Sequence, residues 1–381
     1  MESKLEVLAK LYIEPTIQCN LDCRACIRNV WDEPAVGKMQ AAVFDSIIDG
    51  LRSLTTPPKI FFGGFGEPLL HPGIVDMVAR VKPLSTSVEL ITNATLLTPD
   101  LSKRLITAGL DILWMSLDGA TPDNYADIRL GAALPQVLEN IASFRKVQYS
   151  EYARTLQNGG TVPDNATQLG VAFVAMKRNI AELPEVIDIG RRIGAHHFLV
   201  TNMLPYTKEM VEEVLNYQAL DNINPSHFNF SAIAKGNTSS APVIPALQGK
   251  NITFTISRIS RDRCPFIESG ACAVSWDGNL SPCLPLLHSH VCYLSNLDRA
   301  VSGERFSQRW IIGNVINHNL PNLWNRPDHI AFRERVQAFN FPPCTNCGGC
   351  NLSSNNAEDC FGNEFPTCGG CLWSRGVIQC P

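Results

Sequence analysis

Three cysteines near the start of the sequence have the residue type and spacing of metal ligands. Cys19, Cys23 and Cys26 stand in the order C-x3-C-x2-C, directly after an apolar run at residues 11–17. Soft thiolates are the preferred ligands of iron–sulfur clusters, so three of them can hold three corners of a cubane. The next cysteine is Cys264, so one iron of such a cluster would lack a protein ligand. An iron left open can bind a substrate or cofactor, which predicts a catalyst.

The other eleven of the fourteen cysteines lie between Cys264 and Cys380, and residues 27–263 contain none. In a reducing compartment, clustered cysteines are more often metal ligands than disulfide partners. The alternative is a disulfide-rich module of a secreted protein, but the first residues lack the basic and apolar segments of a signal peptide. We therefore expect metal ligands in this part of the chain.

Composition limits the class of protein. The 381 residues are 45% hydrophobic, which is enough to build two or three packed domains. The formal net charge of −4 gives no sign of a nucleic-acid partner. No apolar run is long enough to cross a bilayer. The sequence predicts a soluble, cytoplasmic protein that binds neither nucleic acid nor membrane.

The first half of the chain alternates short apolar strands with amphipathic helices. The strands consist of consecutive apolar residues, as in a parallel sheet covered on both faces. This alternation predicts an α/β fold with a parallel sheet, either open or curled into an incomplete barrel. The predicted strands are residues 11–17, 59–63, 87–92, 112–117, 169–175 and 197–201.

Polar or glycine residues follow most of these strands. The carboxyl ends of parallel strands meet at one edge of the sheet, where ligands of α/β proteins bind. Each group taken singly is also typical of an ordinary turn, but together they indicate a site beside the three cysteines. The candidates are Gly64, Gly66 and Glu67 after the second strand, Asn93 after the third, Ser116 and Asp118 at the fourth, and Asn202 after the sixth.

The sequence divides into three parts. Residues 1–205 carry the repeated strand and helix pattern, residues 206–260 form a connecting segment, and residues 261–381 are rich in cysteine, glycine and proline. Within the last part, Asp277-Gly278 between two apolar runs predicts a β-hairpin over residues 271–286. The eight histidines show no metal-binding spacing, and we expect His288 and His290 to be solvated.

The cysteine motif, the Gly66-Glu67-Pro68 segment and the Ser116-x-Asp118-Gly119 segment resemble the radical S-adenosylmethionine (SAM) superfamily. The resemblance implies a partial (β/α)6 TIM-like barrel. It also implies a 4Fe–4S cluster on Cys19, Cys23 and Cys26, whose open iron binds SAM and delivers the electron that yields a 5′-deoxyadenosyl radical. By the same resemblance, Gly64, Gly66 and Glu67 lie near the methionine amino group, Ser116 and Asp118 near the ribose, and Asn93 and Asn202 are further polar contacts.

Two positions depart from the family pattern. Ala25 stands where an aromatic residue usually precedes the third cysteine, and Phe65 interrupts the usual Gly-Gly-Glu. The first change bears on how the adenine packs, and the second on the backbone contact with the amino group.

The C-terminal part resembles the SPASM domain, which carries auxiliary clusters in many radical SAM enzymes. Cys264, Gly278 and Cys283 fit its opening, while Cys350 and Cys360 interrupt the later spacing. The resemblance implies one or two auxiliary 4Fe–4S clusters, with a zinc ribbon as the alternative. Cys292 is the first choice for a cysteine without a ligand role. The candidate ligands are Cys264, Cys272, Cys283, Cys344, Cys347, Cys350, Cys360, Cys368, Cys371 and Cys380.

The last residues, 359–381, resemble the radical SAM maturases of tungsten cofactor oxidoreductases, and residues 66–72 and 200–205 agree with this. The resemblance implies a tungsten–pterin oxidoreductase or its cofactor as substrate, and a reductant such as ferredoxin or flavodoxin. One alternative is a SPASM maturase of a peptide or a sulfatase-like protein, although the first strand begins too early for an N-terminal recognition domain. The other is an iron–sulfur electron-transfer protein without catalysis.

Overall fold

Six parallel strands form one continuous sheet in the first half of the chain. The structure is a computed structural model that describes residues 7–31, 37–159, 166–215, 263–295, 302–344, 350–375 and 377–381. Neighbouring strands pair in parallel and in chain order, which confirms the predicted α/β class. The strands are β1 (Lys10–Ile13), β2 (Lys59–Phe62), β3 (Ser87–Thr92), β4 (Ile112–Ser116), β5 (Gln168–Ala175) and β6 (Ala195–Asn202).

Helices connect these strands and cover the outer face of the sheet. In the first helix, Val43, Ile47 and Leu51 recur at helical spacing and are buried, because this stripe faces the sheet. The third helix begins at Pro99. The residue before it, Thr98, caps the helix, because its side chain accepts a hydrogen bond from the Leu101 backbone N–H. These helices are α1 (Ala41–Arg52), α2 (Ile74–Val81), α3 (Pro99–Thr107), α4 (Pro122–Ile128), α5 (Leu134–Gln157) and α6 (Leu183–Arg192), and a short helix, α7 (Lys208–Val211), follows β6.

The two faces of the sheet belong to two different parts of the core. In β1, Leu11 and Ile13 pack with the helices, whereas Tyr12 between them points to the inner face, as the two-residue period of a strand requires. Phe61 and Trp114 share the inner face with Tyr12. The same apolar cluster continues into the cysteine-rich part of the chain, so the inner face of the barrel is covered by the C-terminal module.

A strand from the C-terminal module extends the barrel sheet. Strand β7 (Ala271–Val274) pairs in parallel with β1, and β8 (Asn279–Ser281) pairs antiparallel with β7. The predicted hairpin is thereby confirmed, with Gly278 at φ +88° in its turn. The sequence did not predict that its first strand joins the barrel. Both faces of β7 are buried, which suits a strand in the interior of a sheet.

The remaining described elements build the module on this hairpin. They are α8 (Pro265–Glu268), β9 (His290–Ser295), β10 (Ser302–Ser307), β11 (Gly313–Asn314), α9 (Leu320–Trp324) and α10 (Pro327–Ala338). Strands β9 and β10 pair antiparallel as a separate ribbon, while β11 adds to the main sheet beyond β8. Most of the connecting segment 206–260, and Cys347, lie outside the described residues. Within the described ranges, no helix is long and apolar enough to span a bilayer.

Candidate functional site

The three N-terminal cysteines lie on the loop that follows β1, at the carboxyl edge of the sheet. All three are half-buried, and the Cys26 backbone N–H donates to the Cys23 carbonyl at 3.1 Å. Burial raises the pKa of Cys23 and raises that of Cys26 to about 11. At neutral pH these two thiols therefore keep their protons until a metal displaces them.

Glycines of the loop after β2 allow it to pack directly on the cysteine loop. A Cβ on Gly66 would overlap the Thr16 carbonyl oxygen. Gly64 lies at φ +106°, and a Cβ there would fall 2.7 Å from the Glu14 side chain. The Glu67 backbone N–H donates to the Gln18 carbonyl at 2.7 Å. Residues 64–66 therefore lie against the chain that leads to Cys19.

The carboxylate of Glu67 is buried and bonded within the protein. Its Oε1 accepts from Thr92 Oγ1 at 2.7 Å and from the Leu69 backbone N–H at 3.0 Å, and its Oε2 accepts from the Asn93 backbone N–H at 2.8 Å. Burial raises its pKa, and these hydrogen bonds oppose the shift. The contacts place Asn93 so that its Nδ2 lies 3.8 Å from Cys19 Sγ. Glu67 thus joins the ends of two neighbouring strands.

Asp118 holds a largely buried arginine, Arg129, whose side chain is 12% exposed and which no sequence motif singled out. Its Oδ2 lies 2.6 Å from Arg129 Nη2, and its Oδ1 accepts from the Val174 backbone N–H at 2.8 Å. Burial alone would lower the pKa of Arg129, but Asp118 and then Cys23 hold it above the usual arginine range. Burial raises the pKa of Cys23, and Arg129 opposes that shift. No local sequence signal marks Arg129, which lies in the turn between α4 and α5.

The remaining predicted SAM contacts lie at the ends of β4 and β6. Ser116 is half-buried on the inner face, and its carbonyl accepts from the Tyr125 hydroxyl at 3.5 Å. The Asn202 side chain instead donates to the Val377 carbonyl at 2.9 Å. The structure thus brings residues 64–67 and Asn93 to the cysteine loop and connects Asp118 to it through Arg129, while Asn202 contacts the last residues of the chain.

The C-terminal module contacts the site through His288. Its Nε2 lies 2.7 Å from Glu14 Oε2, while Glu14 Oε1 accepts from the Phe65 backbone N–H at 3.0 Å. The Trp31 ring packs edge-on against His288 with centroids 4.8 Å apart. The expectation that His288 and His290 are solvated is wrong, because their exposures are 2% and 3%. Both histidines are buried within the packed C-terminal module.

A second site is a cavity inside the C-terminal module that is lined by five cysteines. Four of them influence one another: burial and then the other three thiols raise the pKa of Cys283 well above its usual value. Burial and then Cys371 raise the pKa of Cys264 to about 12. We refer to Cys264, Cys283, Cys368 and Cys371 as the tetrad. The fifth, Cys292, lines the same cavity.

The tetrad fits a cubane cluster. Four thiols converge on one cavity, and soft sulfur ligands in a set of four match the need of a 4Fe–4S cluster. A cubane has one thiolate at each iron, so its ligands lie farther apart than those of a single ion. This agrees with the absence, among the described residues, of any three side chains close enough to share one metal ion.

Cys272 lies apart from the tetrad. It is fully buried in the middle of β7 and packs in the core between sheet and helices, whereas Ala271 and Ala273 face the inner cluster with Cys264. The alternation of a strand therefore points its thiol away from the cavity. Its proximity in sequence to Cys264 could not reveal this, because the sequence does not show which face of β7 meets the cavity.

The other candidate cysteines surround the module. Cys344 Sγ lies 3.4 Å from the position of a Cβ on Gly369, which stands between the tetrad residues Cys368 and Cys371. Cys380 Sγ accepts from Trp373 Nε1 at 3.3 Å. Cys350 and Cys360 are exposed.

Comparison with known proteins agrees with this geometry. Residues 13–168 match the model of the radical SAM superfamily, and residues 264–351 match an iron–sulfur cluster-binding domain, SPASM. The chain is 30% identical over 97% of its length to the "tungsten-containing aldehyde ferredoxin oxidoreductase cofactor-modifying protein" of Pyrococcus furiosus, of which it covers 96%. The chain belongs to the radical SAM superfamily.

Solved structures share the fold of this radical SAM protein. Native anSMEcpe with bound AdoMet superimposes with a TM-score of 0.60 at 16% identity, covering 97% of this chain and 92% of that one. Streptococcus suis SuiB bound to the precursor peptide SuiA gives a TM-score of 0.56 at 13% identity, covering 90% and 70%. The predicted fold class, enzyme class, 4Fe–4S cluster, SAM and auxiliary clusters are confirmed for this radical SAM protein.

Proposed function

We propose that this enzyme modifies or matures a tungsten–pterin oxidoreductase or its cofactor. The observation that carries the proposal is the identity of 30% over nearly the whole length of both chains with the cofactor-modifying protein of Pyrococcus furiosus. Because both the barrel and the cysteine-rich module are covered, the resemblance includes more than the part that binds SAM. A ferredoxin or flavodoxin is the proposed reductant, and the clustered cysteines favour a cytoplasmic location.

We propose Cys19, Cys23 and Cys26 as the ligands of the catalytic cluster. When bound and reduced by one electron from the reductant, this cluster and SAM would supply a 5′-deoxyadenosyl radical for hydrogen-atom removal from the substrate. The residues around these cysteines shape the proposed SAM site. We propose that the backbone at Gly64 and Gly66, which packs on the chain leading to Cys19, faces the methionine end of SAM. Glu67 holds the backbone N–H of Asn93, and the Asn93 side chain lies beside Cys19.

Arg129 supplies a largely buried positive charge close enough to Cys23 to interact with its thiol electrostatically. A cation near a thiolate favours the deprotonated form that binds iron, and Asp118 keeps the guanidinium in place at 2.6 Å. We therefore propose Asp118 as a positioning residue, with Ser116 as the candidate ribose contact. Asn202 is proposed to hold the C-terminal segment over the end of β6 through Val377.

The tetrad is proposed to hold one auxiliary 4Fe–4S cluster, and Cys272 is left out of the ligand set because it faces the opposite side of β7. Cys344, Cys347, Cys350 and Cys360 remain the sequence-based candidates for a second cluster, with Cys380 in reserve. The predicted boundaries after residues 205 and 260 remain proposals. Iron analysis after anaerobic reconstitution tests this scheme: about 12 irons per chain support three cubanes, and about four contradict any auxiliary cluster.

The substrate proposal is tested with the tungsten enzyme itself. The reconstituted enzyme, SAM and a reductant are incubated with a tungsten–pterin oxidoreductase isolated from cells that lack the maturase. We expect 5′-deoxyadenosine to form in proportion to a mass change on the oxidoreductase or its released pterin. A Cys23→Ala variant is the control and forms none. Formation of 5′-deoxyadenosine without any mass change in either component would reject this substrate.

A peptide or protein substrate is the second candidate, favoured by the fold shared with SuiB in its complex with the precursor peptide SuiA. At 13% identity this likeness concerns the fold alone. Peptides encoded beside the gene, tested in the same assay, separate the two candidates. Modification of such a peptide with no change in the tungsten enzyme would favour the peptide.

A further inference from the structure

Arg305 is a buried arginine in the wall of the five-cysteine cavity. It lies on β10 directly opposite Cys292 on β9 in the antiparallel register, so the two side chains share one face of the ribbon. That face lines the cavity together with the tetrad. Arg305 is only 4% exposed. Neither its burial nor its register could be read from the sequence.

The guanidinium lies against the backbone between the last two tetrad cysteines. A Cβ on Gly370 would fall 2.5 Å from Arg305 Nη1 and 2.6 Å from its Cζ. Arg305 Nη1 also donates to the Ser353 carbonyl at 2.7 Å. The glycine in Cys368-Gly-Gly-Cys371 thus makes room for a charged group beside two proposed ligands.

No carboxylate balances this charge among the described residues. Asp118 lies 2.6 Å from Arg129 at the SAM site, whereas the hydrogen-bond partner of Arg305 in the described ranges is a neutral carbonyl. A buried charge is costly unless an opposite charge accompanies it. Among the described residues, the thiols that line the cavity are the groups beside Arg305 that can become negative, and Arg305 opposes the rise that burial causes in the pKa of Cys292.

We propose that Arg305 is the counter-charge of the auxiliary cluster on the tetrad and sets its reduction potential. The inference rests on the proposed assignment of the tetrad as cluster ligands. Arg305 is a positioning residue here: it binds no iron and acts by its charge. Charge and hydrogen bonding around a cluster are main determinants of its potential.

The direction of the effect follows from the charge. One-electron reduction adds one negative charge to the thiolate-bound group, and the Arg305 guanidinium stabilises that charge in a buried, weakly screened place. Arg305 therefore makes the cluster easier to reduce. Removal of its charge should move the midpoint potential to a more negative value.

The test is a redox titration of the full-length reconstituted protein with dithionite, followed by electron paramagnetic resonance. Cys19, Cys23 and Cys26 are replaced by alanine in every sample, so that the SAM-site signal is absent. Cys368→Ala in this background identifies the tetrad signal as the one that disappears. Arg305→Gln removes the charge, Arg305→Lys keeps it, and Arg309→Gln makes the same change at an exposed position four residues along the chain.

We expect Arg305→Gln to make reduction about tenfold less favourable, which is about 59 mV for one electron, with little change in the other two variants. An unchanged potential in Arg305→Gln, or an equal shift in Arg309→Gln, overturns the inference. Loss of the cluster in Arg305→Gln but not in Arg305→Lys supports the counter-charge role, because assembly then needs the charge. Loss in both overturns it. If Cys368→Ala changes neither iron content nor spectrum, the tetrad assignment itself is rejected.

Discussion

Arg129 and Asp118 form a largely buried ion pair in the proposed SAM site, and the cost of burying each charge depends on the presence of the other. Asp118 is 3% exposed and gives one oxygen to Arg129 and the other to the Val174 backbone N–H. The pair lies near Cys23, whose pKa Arg129 lowers against the effect of burial. At the scale of single residues, the site therefore needs a matched pair and not an isolated charge.

Removal of one charge of this pair should lower the free energy of unfolding more than removal of both charges. Arg129→Gln leaves a buried carboxylate without its cation, so we expect a loss of about 3–5 kcal/mol in the free energy of unfolding. The double variant Arg129→Gln with Asp118→Asn should recover part of that loss. Denaturant unfolding of the four proteins in the cycle measures the coupling. Additive losses, with no recovery in the double variant, would contradict a direct pair.

Residue chemistry showed which side chains to examine but not which of them meet. The cysteine loop, Glu67 and Asn93 were predictable, because strand ends of one parallel sheet share an edge. The positions of Arg129 and Arg305 were not predictable. The sequence around an arginine in a turn or in a polar strand is the same whether its side chain is buried or solvated.

At the scale of elements, the loop after β2 is shaped by its contact with the cysteine loop. Gly66 meets the Thr16 carbonyl so closely that no side chain fits between them. Gly66→Ala should therefore push the two loops apart. We expect the variant to lose the catalytic cluster, which is a loss of about four irons per chain, and to bind SAM no longer. The tetrad cluster should remain. Iron analysis and calorimetric titration with SAM measure both effects.

Gly303→Ala is the matched control for that change, because no atom lies within 4 Å of the position of its Cβ. It should keep both the iron content and SAM binding. Full SAM affinity in Gly66→Ala would show that the contact with Thr16 does not shape the site.

The orientation of β7 separates two cysteines that the spacing had grouped together. Cys272 faces the helices and Cys283 lines the cavity. Cys272→Ala should leave the iron content unchanged and cost about 1–2 kcal/mol of stability through the small space it creates. Cys283→Ala should lose the tetrad cluster. Iron analysis of the two purified variants distinguishes them, and a loss of about four irons in Cys272→Ala would return that residue to the ligand set.

Strand positions in the first half were largely predictable, and β3 has the predicted bounds, residues 87–92. Its apolar residues Val88, Leu90 and Ile91 lie between the polar residues Ser87 and Thr92 at the two ends of the strand. The pairing of β7 with β1 was not predictable, because pairing between strands more than 250 residues apart leaves no local pattern. Such long-range pairing depends on which sheet edge is left open when the chain folds.

At the scale of the whole molecule, barrel and module share one sheet and one inner core. Strand β7 covers the edge of β1, and Tyr12, Phe61 and Trp114 pack in the same apolar cluster as the tetrad. The contact between His288 and Glu14 at 2.7 Å adds a polar connection at the mouth of the barrel. These contacts place the tetrad and the catalytic site in one packed body, although the sequence reads as separate parts.

The barrel segment should therefore not fold by itself. A fragment of residues 1–260 would expose the backbone groups of β1 along the edge that β7 covers, together with its inner aromatic residues. Exposed strand edges and large apolar surfaces favour aggregation. We expect the fragment to elute as aggregates in size-exclusion chromatography and to lack near-ultraviolet circular dichroism, whereas the full chain is compact. Co-expression with residues 261–381 should restore a soluble complex, because that fragment carries β7 and the covering cluster. A monomeric fragment 1–260 with a native-like near-ultraviolet spectrum would show that the shared sheet is not needed for the barrel to form.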